Sequence, residues 1–258
     1  MKKTGTREWS NVSFNIQTGC EHDCIYCYAK ANAIRFKRAT PVNWKHPIAR
    51  EIPDKGLPRR TLVMFPTAHD ITSENVLDCL RAIQTLILRQ NKVLVVTKAN
   101  FHSMDCLTKS LARYRNEVEF RITIGSPHDY DLGRWEPHAP TFEDRLKSLQ
   151  LAFSRNYKTS VSAEPLLCKT RDFPLLYNAV RPYATEGVWV GKLNNCGGRI
   201  GVNTAGDESY NIPLHLLMSD QNDENILSLY NRYKNNSQVK WKDSIRAVVA
   251  KHMEVIEQ

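Results

Sequence analysis

Six short apolar segments recur along the first three quarters of the chain and constrain its fold more than any other feature. They cover residues 12–17, 61–66, 93–97, 119–124, 159–163 and 187–193, and turn or charged residues bound each of them. This pattern predicts β-strands. Two of the intervening stretches, 73–88 and 141–153, place apolar residues at helical spacing. Strands that alternate with helices predict parallel β-α units, and six units are too few for a closed eightfold barrel.

A cluster of cysteines follows the first predicted strand. Cys20, Cys24 and Cys27 form a C-x3-C-x2-C run within residues 19–28. Thiols at this spacing predict a metal site rather than core packing. A [4Fe–4S] cluster usually takes four thiolates, so a set of three leaves one iron open to another ligand. A structural zinc ion would need a fourth Cys or His, and His22 lies inside the loop, although the spacing lacks the paired C-x2-C of zinc ribbons.

The cysteine run, with Tyr26 just before its third cysteine, resembles the motif of the radical S-adenosylmethionine (SAM) superfamily. The resemblance implies a [4Fe–4S] cluster on Cys20, Cys24 and Cys27 and a SAM molecule chelated to the fourth iron. It also implies cleavage of SAM to a 5′-deoxyadenosyl radical, with an electron from an external donor of flavodoxin or ferredoxin type. The fold that it implies is α/β, a partial (β/α)6 TIM-type barrel.

Several looser motifs are similar to the spore photoproduct lyase branch of that superfamily. They are the Thr-Ala-His-Asp turn after the second predicted strand, a lysine that ends the third, and residues 135–140 and 191–194; the likeness spans roughly residues 10–195. This resemblance implies that SAM contacts Tyr26, Tyr28, Thr67, Ala68, Lys98, Ser126 and Ala163.

One position departs from that branch. The lyase has a hydrogen-donating cysteine on the turn after its second strand, and the nearest match here is Thr67, whose O–H bond is too strong for the role. Reversal of a thymine dimer is therefore not expected. Cys168 and Cys196 follow the fifth and sixth predicted strands. We expect one of them to quench a radical or to contact the substrate, unless both are buried packing residues.

Other strand ends supply candidate polar groups at the predicted site, which lies at the carboxyl ends of the parallel strands. His69 is a candidate proton-transfer group, and Asp70 and Glu164 are candidates to anchor the SAM amino group or a substrate amine, or to cap helices. Asn194 follows the sixth strand and is expected to face the cysteine loop. These assignments assume that the carboxyl ends of parallel strands form the site.

The chain of 258 residues carries a net charge of +9, which favours an anionic partner such as DNA, RNA or a nucleotide. Cations and aromatics alternate in residues 35–38, a pattern that suits phosphates and bases but also occurs on ordinary solvated faces. No apolar run reaches the length of a membrane span, and no signal peptide is evident, so we expect a cytoplasmic protein that does not contact membranes.

The strand–helix rhythm stops after about residue 201. We expect residues 1–200 to form the barrel domain and 201–258 a C-terminal helical extension, with one helix near residues 226–233 and another near 241–256. The apolar stripe of the second helix is predicted to include His252 and Met253, with Lys242 facing away. The two helices are expected to pack on the barrel, with a partner surface as the alternative.

The sequence therefore predicts a radical SAM enzyme that abstracts hydrogen from an organic substrate, with a nucleobase as the favoured class. Whether it is a lyase, an isomerase or a transferase stays open. One alternative is the same chemistry on a peptide or a small metabolite. Another is a non-catalytic iron–sulfur or zinc protein that binds nucleic acid.

Overall fold

A computed structural model describes residues 5–10, 12–53, 55–194 and 196–256, with the backbone alone for 254–256. Its strands are β1 Val12–Ser13, β2 Gln17–Thr18, β3 Ile48–Ala49, β4 Leu62–Phe65, β5 Lys92–Thr97, β6 Val118–Thr123, β7 Lys158–Ala163, β8 Val188–Val190 and β9 Val239–Trp241. Its helices are α1 Tyr28–Arg35, α2 Val76–Leu88, α3 Phe101–Ser110, α4 Asp129–Trp135, α5 Phe142–Ser154, α6 Phe173–Val180, α7 Cys196–Asn203, α8 Asn211–Asp220, α9 Asp223–Tyr233 and α10 Asp243–Ile256.

Seven of the strands form one parallel sheet in the order β1-β4-β5-β6-β7-β8-β9. Each of the six predicted strands coincides with one of them. The prediction of an α/β fold built on a partial barrel is confirmed. The edge strands β1 and β9 do not pair in the described part of the chain, so the barrel is open between them.

Alternation along each strand separates two environments. On β4 the side chains of Val63 and Phe65 are buried among the surrounding helices, as are Val93 and Val95 on β5. The residues between them point to the inside of the barrel, because successive side chains of a strand face opposite sides of the sheet. The helices of the first six units therefore cover the outer face, and the inner face is left to build a site.

The helices between the strands bury their apolar faces against this outer surface. In α2, Cys79, Ile83 and Leu86 are fully buried, so Cys79 is a packing residue. Helix α5 is capped by Thr141, whose hydroxyl accepts a hydrogen bond from the amide of Asp144 at 3.3 Å. Such a cap satisfies an amide that the first helical turn leaves free.

The C-terminal region differs from its prediction. Helix α9 buries Ile226 and Leu229 as expected. Residues 239–241, however, form β9, which extends the parallel sheet beside β8. Lys242 was expected to face away but has no exposed surface, and its Nζ lies 3.1 Å from carboxylate oxygens of Glu8 and Glu164.

Helix α10 is also less deeply buried at its end than its pattern predicts. His252 and Met253 were placed on its apolar stripe but are exposed, because the packed face ends with Ile245 and Val248.

Helices in the described part of the chain fall short of the length and apolarity that a membrane crossing requires.

Candidate active site

One cavity of about 1250 Å³ opens at the carboxyl ends of the parallel strands. Four parts of the chain build its wall: the cysteine loop with α1, the strand ends, the N-terminal residues 5–9, and the start of α7. The predicted site residues that line it are Cys20, Cys24, Tyr26, Cys27, Tyr28, Thr67, Ala68, His69, Asp70, Lys98, Glu164, Asn194 and Cys196. Ser126, Ala163 and Cys168 do not line it.

Contacts at both of its ends hold the cysteine loop in place. Gly19 has φ +98°, and a Cβ at this position would lie 2.7 Å from the carbonyl oxygen of Trp44, so the close approach requires glycine. The amide of Cys20 donates to that same carbonyl at 2.9 Å. At the other end, the Cys27 sulfur accepts a hydrogen bond from the amide of Lys30 and caps α1.

Helix α7 packs over the outer side of this loop. The side-chain amide of Asn203 donates to the carbonyl oxygens of Ile25 and Cys27, both at 2.9 Å. Ile25 is buried in the same apolar cluster as Leu214 and Leu217 of α8. The segment after β8, which contains α7 and α8, therefore stabilises the cysteine loop.

The three thiols are free and face one cavity. Burial raises the pKa of the Cys20 thiol to about 12 and also raises the pKa values of Cys24 and Cys27. A thiol binds metal only after it loses its proton, so these buried thiols require a metal or cluster to become anionic near neutral pH.

The donor set fits a cluster better than a single zinc ion. Within the described residues, no three His, Cys, Asp or Glu side chains converge closely enough to hold one metal ion. A zinc site needs four ligands around one ion, whereas the thiolates of an iron–sulfur cluster bind different iron atoms and stand farther apart. His22, the alternative fourth ligand, is buried with its Nδ1 at 3.2 Å from Asp70 Oδ2.

Asp70 joins two strand ends beside the cysteine loop. Its Oδ1 accepts hydrogen bonds from the Thr97 hydroxyl at 2.5 Å and from the amide of Ile71 at 2.8 Å. Lys98 lies above it, with Nζ 3.6 Å from Oδ2. Burial alone would raise the pKa of Asp70, but His22, Lys98 and Thr97 together bring it below its usual range. Asp70 is therefore an anion that fixes the end of β5 to the turn after β4.

Glu136 lies behind the cavity wall and contacts three polar side chains. Arg145 Nη2 lies 2.5 Å from Oε2, and Lys98 Nζ lies 3.8 Å from Oε1. The hydroxyl of Tyr26 also donates to Oε1. Burial raises the pKa of Glu136, but Arg145 and Lys98 lower it by more, so the carboxyl stays ionised. Lys98 therefore stands between two buried carboxylates and lines the cavity with its ammonium group.

The turn after β4 is held by Asn15. Asn15 Oδ1 accepts hydrogen bonds from the amides of Thr67 and Ala68, at 2.8 and 2.7 Å, and its Nδ2 donates to the Thr67 hydroxyl. The hydroxyl of Tyr28 donates to the carbonyl oxygen of Thr67 at 2.6 Å. Thr67 and Ala68 are thereby presented to the cavity next to the cysteine loop.

The structure does not place Ser126 and Ala163 in the lining of the cavity. Ala163 lies on the helix-facing side of β7 in the main core, and its neighbour Ser162 lines the cavity instead. Ser126 has no exposed surface; its hydroxyl donates to Asp131 and accepts from the amide of His128. The inward residue of β6 is Thr123. Strand alternation turns Ala163 away from the cavity, whereas Ser126 lies in the loop beyond the end of β6.

The two candidate cysteines, Cys168 and Cys196, lie in different parts of the structure. Cys168 is buried in the main apolar core and does not line the cavity, so the structure does not bring it to the site. Cys196 begins α7 and lines the cavity, where its thiol donates to the carbonyl oxygen of Asn194 at 2.8 Å. Burial raises the pKa of Cys196 to about 11, so it is a neutral thiol.

His69 touches the cavity but has no free ring nitrogen. Its Nε2 accepts the amide hydrogen of Ile16 at 3.2 Å, and its Nδ1 faces the carbonyl oxygen of Asp70 at 3.0 Å. A carbonyl oxygen only accepts, so Nδ1 carries the proton. Burial lowers the pKa of His69. Both ring nitrogens therefore have backbone partners, and His69 ties the chain beyond β1 to the turn after β4.

The outer part of the cavity carries charged groups of both signs. Glu164 follows β7 and is held by the buried Lys242. Four cations on separate parts of the chain also line the cavity, and none forms an ion pair within the described residues. They are Arg7, Arg35, Lys192 and Arg199.

The sequence matches no protein-family model and no curated protein. Solved structures of spore photoproduct lyase are similar to it. The lyase complexed with dinucleoside spore photoproduct has a TM-score of 0.58 at 14% identity, over 89% of this chain and 75% of that one. A cysteine-to-serine mutant gives 0.57 at 14% identity, over 93% and 79%. A double mutant with bound AdoMet and dinucleoside spore photoproduct gives 0.54 at 16% identity, over 75% and 60%.

The chain has the fold of spore photoproduct lyase. This confirms, at the level of the fold, the resemblance that the cysteine run and the strand ends predict. At 14–16% sequence identity, the likeness concerns the fold alone.

Within this spore photoproduct lyase fold, two supporting residues were not predicted from the sequence. Asn15 could have been noticed, because it is a polar residue inside an apolar segment. Arg145 lies one residue before Leu146, which the helical pattern places on the buried face of α5, and it has no exposed surface. A charge on an apolar face requires a buried partner, here Glu136.

Proposed function

We propose that this protein is a radical SAM enzyme that acts on a nucleobase in a nucleic acid or nucleotide. The observation that carries the proposal is that Cys20, Cys24 and Cys27 all line the cavity at the strand ends. The soft thiol set, together with the lyase fold, supports a [4Fe–4S] cluster on these three residues. When bound and reduced by a flavodoxin- or ferredoxin-type donor, such a cluster supplies the electron that cleaves SAM to methionine and a 5′-deoxyadenosyl radical.

The residues around the thiols are suited to bind SAM. Lys98 presents an ammonium group for its carboxylate, and Glu164 an oxygen for its ammonium group. The turn at Thr67 and Ala68, the ring of Tyr28, and Asn194 complete the wall that would surround the nucleoside. Tyr26, fixed by Glu136, holds the loop between the second and third cysteines in place. The cavity walls also limit the access of water to a reactive radical.

The substrate is proposed to occupy the outer part of the cavity. The unpaired cations at the mouth favour an anionic molecule, and the similar lyase structures contain a dinucleoside spore photoproduct. Cys196 is the cavity thiol outside the cysteine run, so we assign it the hydrogen donor or substrate-contact role that Thr67 is not suited to fill. Whether the product is a rearranged, cleaved or transferred base stays open.

The test is anaerobic reconstitution with iron and sulfide, followed by dithionite and SAM. The wild-type protein should release 5′-deoxyadenosine, and Cys24→Ala should neither hold four irons nor release it. Cys106→Ala is the matched control, because Cys106 is a half-buried cysteine of α3 outside the cavity. If the wild-type protein holds iron but yields no 5′-deoxyadenosine, the non-catalytic iron–sulfur alternative takes its place.

Cys196 has a separate test in the fate of hydrogen. With a substrate identified, Cys196→Ala should slow or divert quenching of the substrate radical while 5′-deoxyadenosine still forms. Unchanged product with unchanged deuterium distribution would remove Cys196 from the mechanism.

A further inference from the structure

A continuous acid-free segment follows the second cysteine of the loop. Between Asp23 and Glu51 the chain has no Asp or Glu but six Lys or Arg residues, against a net charge of +9 for the whole protein. Lys30 is buried and paired with Asp23 at 2.6 Å. The other five are exposed and form no ion pair within the described residues: Arg35, Lys37, Arg38, Lys45 and Arg50. Most of the chain's excess charge is therefore concentrated on one segment.

The same segment exposes large apolar side chains among its cations. Phe36 is 65% exposed, Val42 74% and Ile48 71%. The Arg38 guanidinium lies 5.7 Å from the centre of the Phe36 ring. An exposed aromatic ring beside cations provides a stacking surface for a base and charges for its phosphates. We call residues 35–50 the basic strip.

The basic strip is built on ordered elements. The amides of Lys37 and Arg38 donate to the carbonyl oxygens of Ile34 and Ala33, which closes the end of α1. Ile48 lies in β3, which pairs with β2, and Arg50 Nε donates to the Thr18 hydroxyl at 2.7 Å. Regular elements present a charged surface with less loss of conformational entropy on binding than a free tail does.

The strip is continuous with the cavity. Ala31, Asn32, Ile34 and Arg35 of α1 line the cavity, and Arg35 is also the first residue of the strip. Helix α1 begins at Tyr28, next to the third cysteine, so about 12 Å of helix separates the cysteine loop from the strip. A strand bound on the strip can therefore place a neighbouring nucleotide inside the cavity.

We propose that the basic strip binds single-stranded nucleic acid and delivers one nucleotide to the cavity. Exposed Phe36, Val42 and Ile48 need unstacked bases to cover them, whereas a duplex offers mainly phosphates to such a surface. The delivery half rests on the proposed function, because it requires that the cavity performs chemistry on a base. The binding half does not.

The experiment measures fluorescence anisotropy of a labelled 12-nucleotide single strand, as DNA and as RNA, with the reconstituted full-length protein. Five contacting cations predict a slope of about −3.5 for log K against log salt. Lys37→Ala/Arg38→Ala should reduce this slope by about 1.4 and weaken binding roughly 25-fold at 0.1 M salt. Phe36→Ala should weaken binding roughly 5- to 100-fold and leave the slope unchanged, because stacking releases no counterions.

The matched control is Lys92→Ala/Arg113→Ala. Both cations are exposed at the amino ends of strands, away from the cavity, and Arg113 stacks on Tyr114 as Arg38 stacks on Phe36. This control should bind the single strand like the wild type. Circular dichroism of every variant should match the wild type, since the substituted side chains are exposed.

Four outcomes would overturn the proposal. The first is that the protein does not bind the single strand, and the second is that the control variant weakens binding as much as the strip variant does. The third is that a duplex binds as tightly as the single strand and that Phe36→Ala has no effect. The fourth is that the protein binds phosphatidylserine vesicles but not oligonucleotides. Release of 5′-deoxyadenosine is measured separately, without oligonucleotide. A failure of the basic strip can then be told apart from a failure of the proposed function. Release without oligonucleotide binding would overturn the role of the basic strip alone. Binding without release would overturn the proposed function and the delivery half, and would leave the binding half standing.

Discussion

Glu136 shows how a single buried residue organises one wall of the site. Its carboxylate has 1% exposure and is placed among Arg145, Lys98 and Tyr26. A buried carboxylate is tolerated because cations and a hydroxyl compensate for its lost hydration. Tyr26 is the residue before the third cysteine, so this compensation also fixes the cysteine loop.

We predict that Glu136→Gln destabilises the protein by about 3 kcal/mol at pH 7, because Arg145 and Lys98 lose their buried counter-charge. The folded-state pKa of Glu136 lies below its ordinary value of 4.5. Its contribution is therefore fully present above pH 4.5 and is lost as pH falls through the folded pKa. Urea unfolding at pH 7 and near pH 4 should show the gap between wild type and variant narrowing with acid. A constant gap would contradict this account.

A second prediction concerns Asn15, which anchors the turn at Thr67 and Ala68. Asn15→Ala should cost about 1–3 kcal/mol of unfolding free energy, because two amides lose their acceptor. SAM affinity, measured by equilibrium dialysis, should fall as well. Asn15→Asp keeps the acceptor oxygen and should preserve both quantities. Equal loss in both variants would show that the amide donor, rather than the acceptor, matters.

Side-chain direction is what the sequence could not supply at this scale. The cysteine spacing and the position of Lys98 after an apolar strand were enough to place both at the cavity. At the end of β7, however, Ser162 rather than Ala163 faces inward, because one residue of strand register exchanges the two faces. For His69, the sequence could not show that its two ring nitrogens contact backbone groups, one of Asp70 next to it and one of Ile16 far along the chain.

At the scale of elements, β9 is the part that sequence periodicity missed. Val239–Trp241 is three residues long, which is shorter than the usual strand, and the helical pattern of α10 follows directly. Its consequence is the placement of Lys242, whose Nζ contacts Glu8, Glu164 and the carbonyl oxygen of Gly5. The C-terminal strand thereby reaches a carboxylate of the cavity.

We predict that Lys242→Met destabilises the protein by about 3–5 kcal/mol, because it leaves two carboxylates without their buried cation. Lys240→Met is the matched control, since Lys240 lies in β9, two residues before Lys242, and is exposed. It should change the unfolding free energy by no more than about 0.5 kcal/mol. Chemical denaturation of the two variants checks the difference. Equal effects would mean that strand β9, and not the ion cluster, determines the loss.

At the scale of the whole molecule, both chain ends build the cavity. The barrel is open between β1 and β9, and residues Gly5, Thr6, Arg7 and Trp9 line the cavity. Lys242 and the Arg246–Glu8 ion pair hold this N-terminal segment. The α7–α8 region meanwhile packs on the cysteine loop. Residues 201–258 therefore contribute to the sheet and to the site, beyond covering an edge.

This arrangement predicts that a chain ending at residue 203 will not fold cooperatively. It would expose the edge of β8 and leave Glu8 and Glu164 without Lys242, so circular dichroism on heating should show a broad transition or an insoluble product. A chain ending at Lys251 lacks the end of α10, including the exposed His252 and Met253, and should keep its melting temperature within about 2 °C. A soluble 1–203 fragment with a sharp transition near that of the full chain would instead support an independent barrel domain at 1–200.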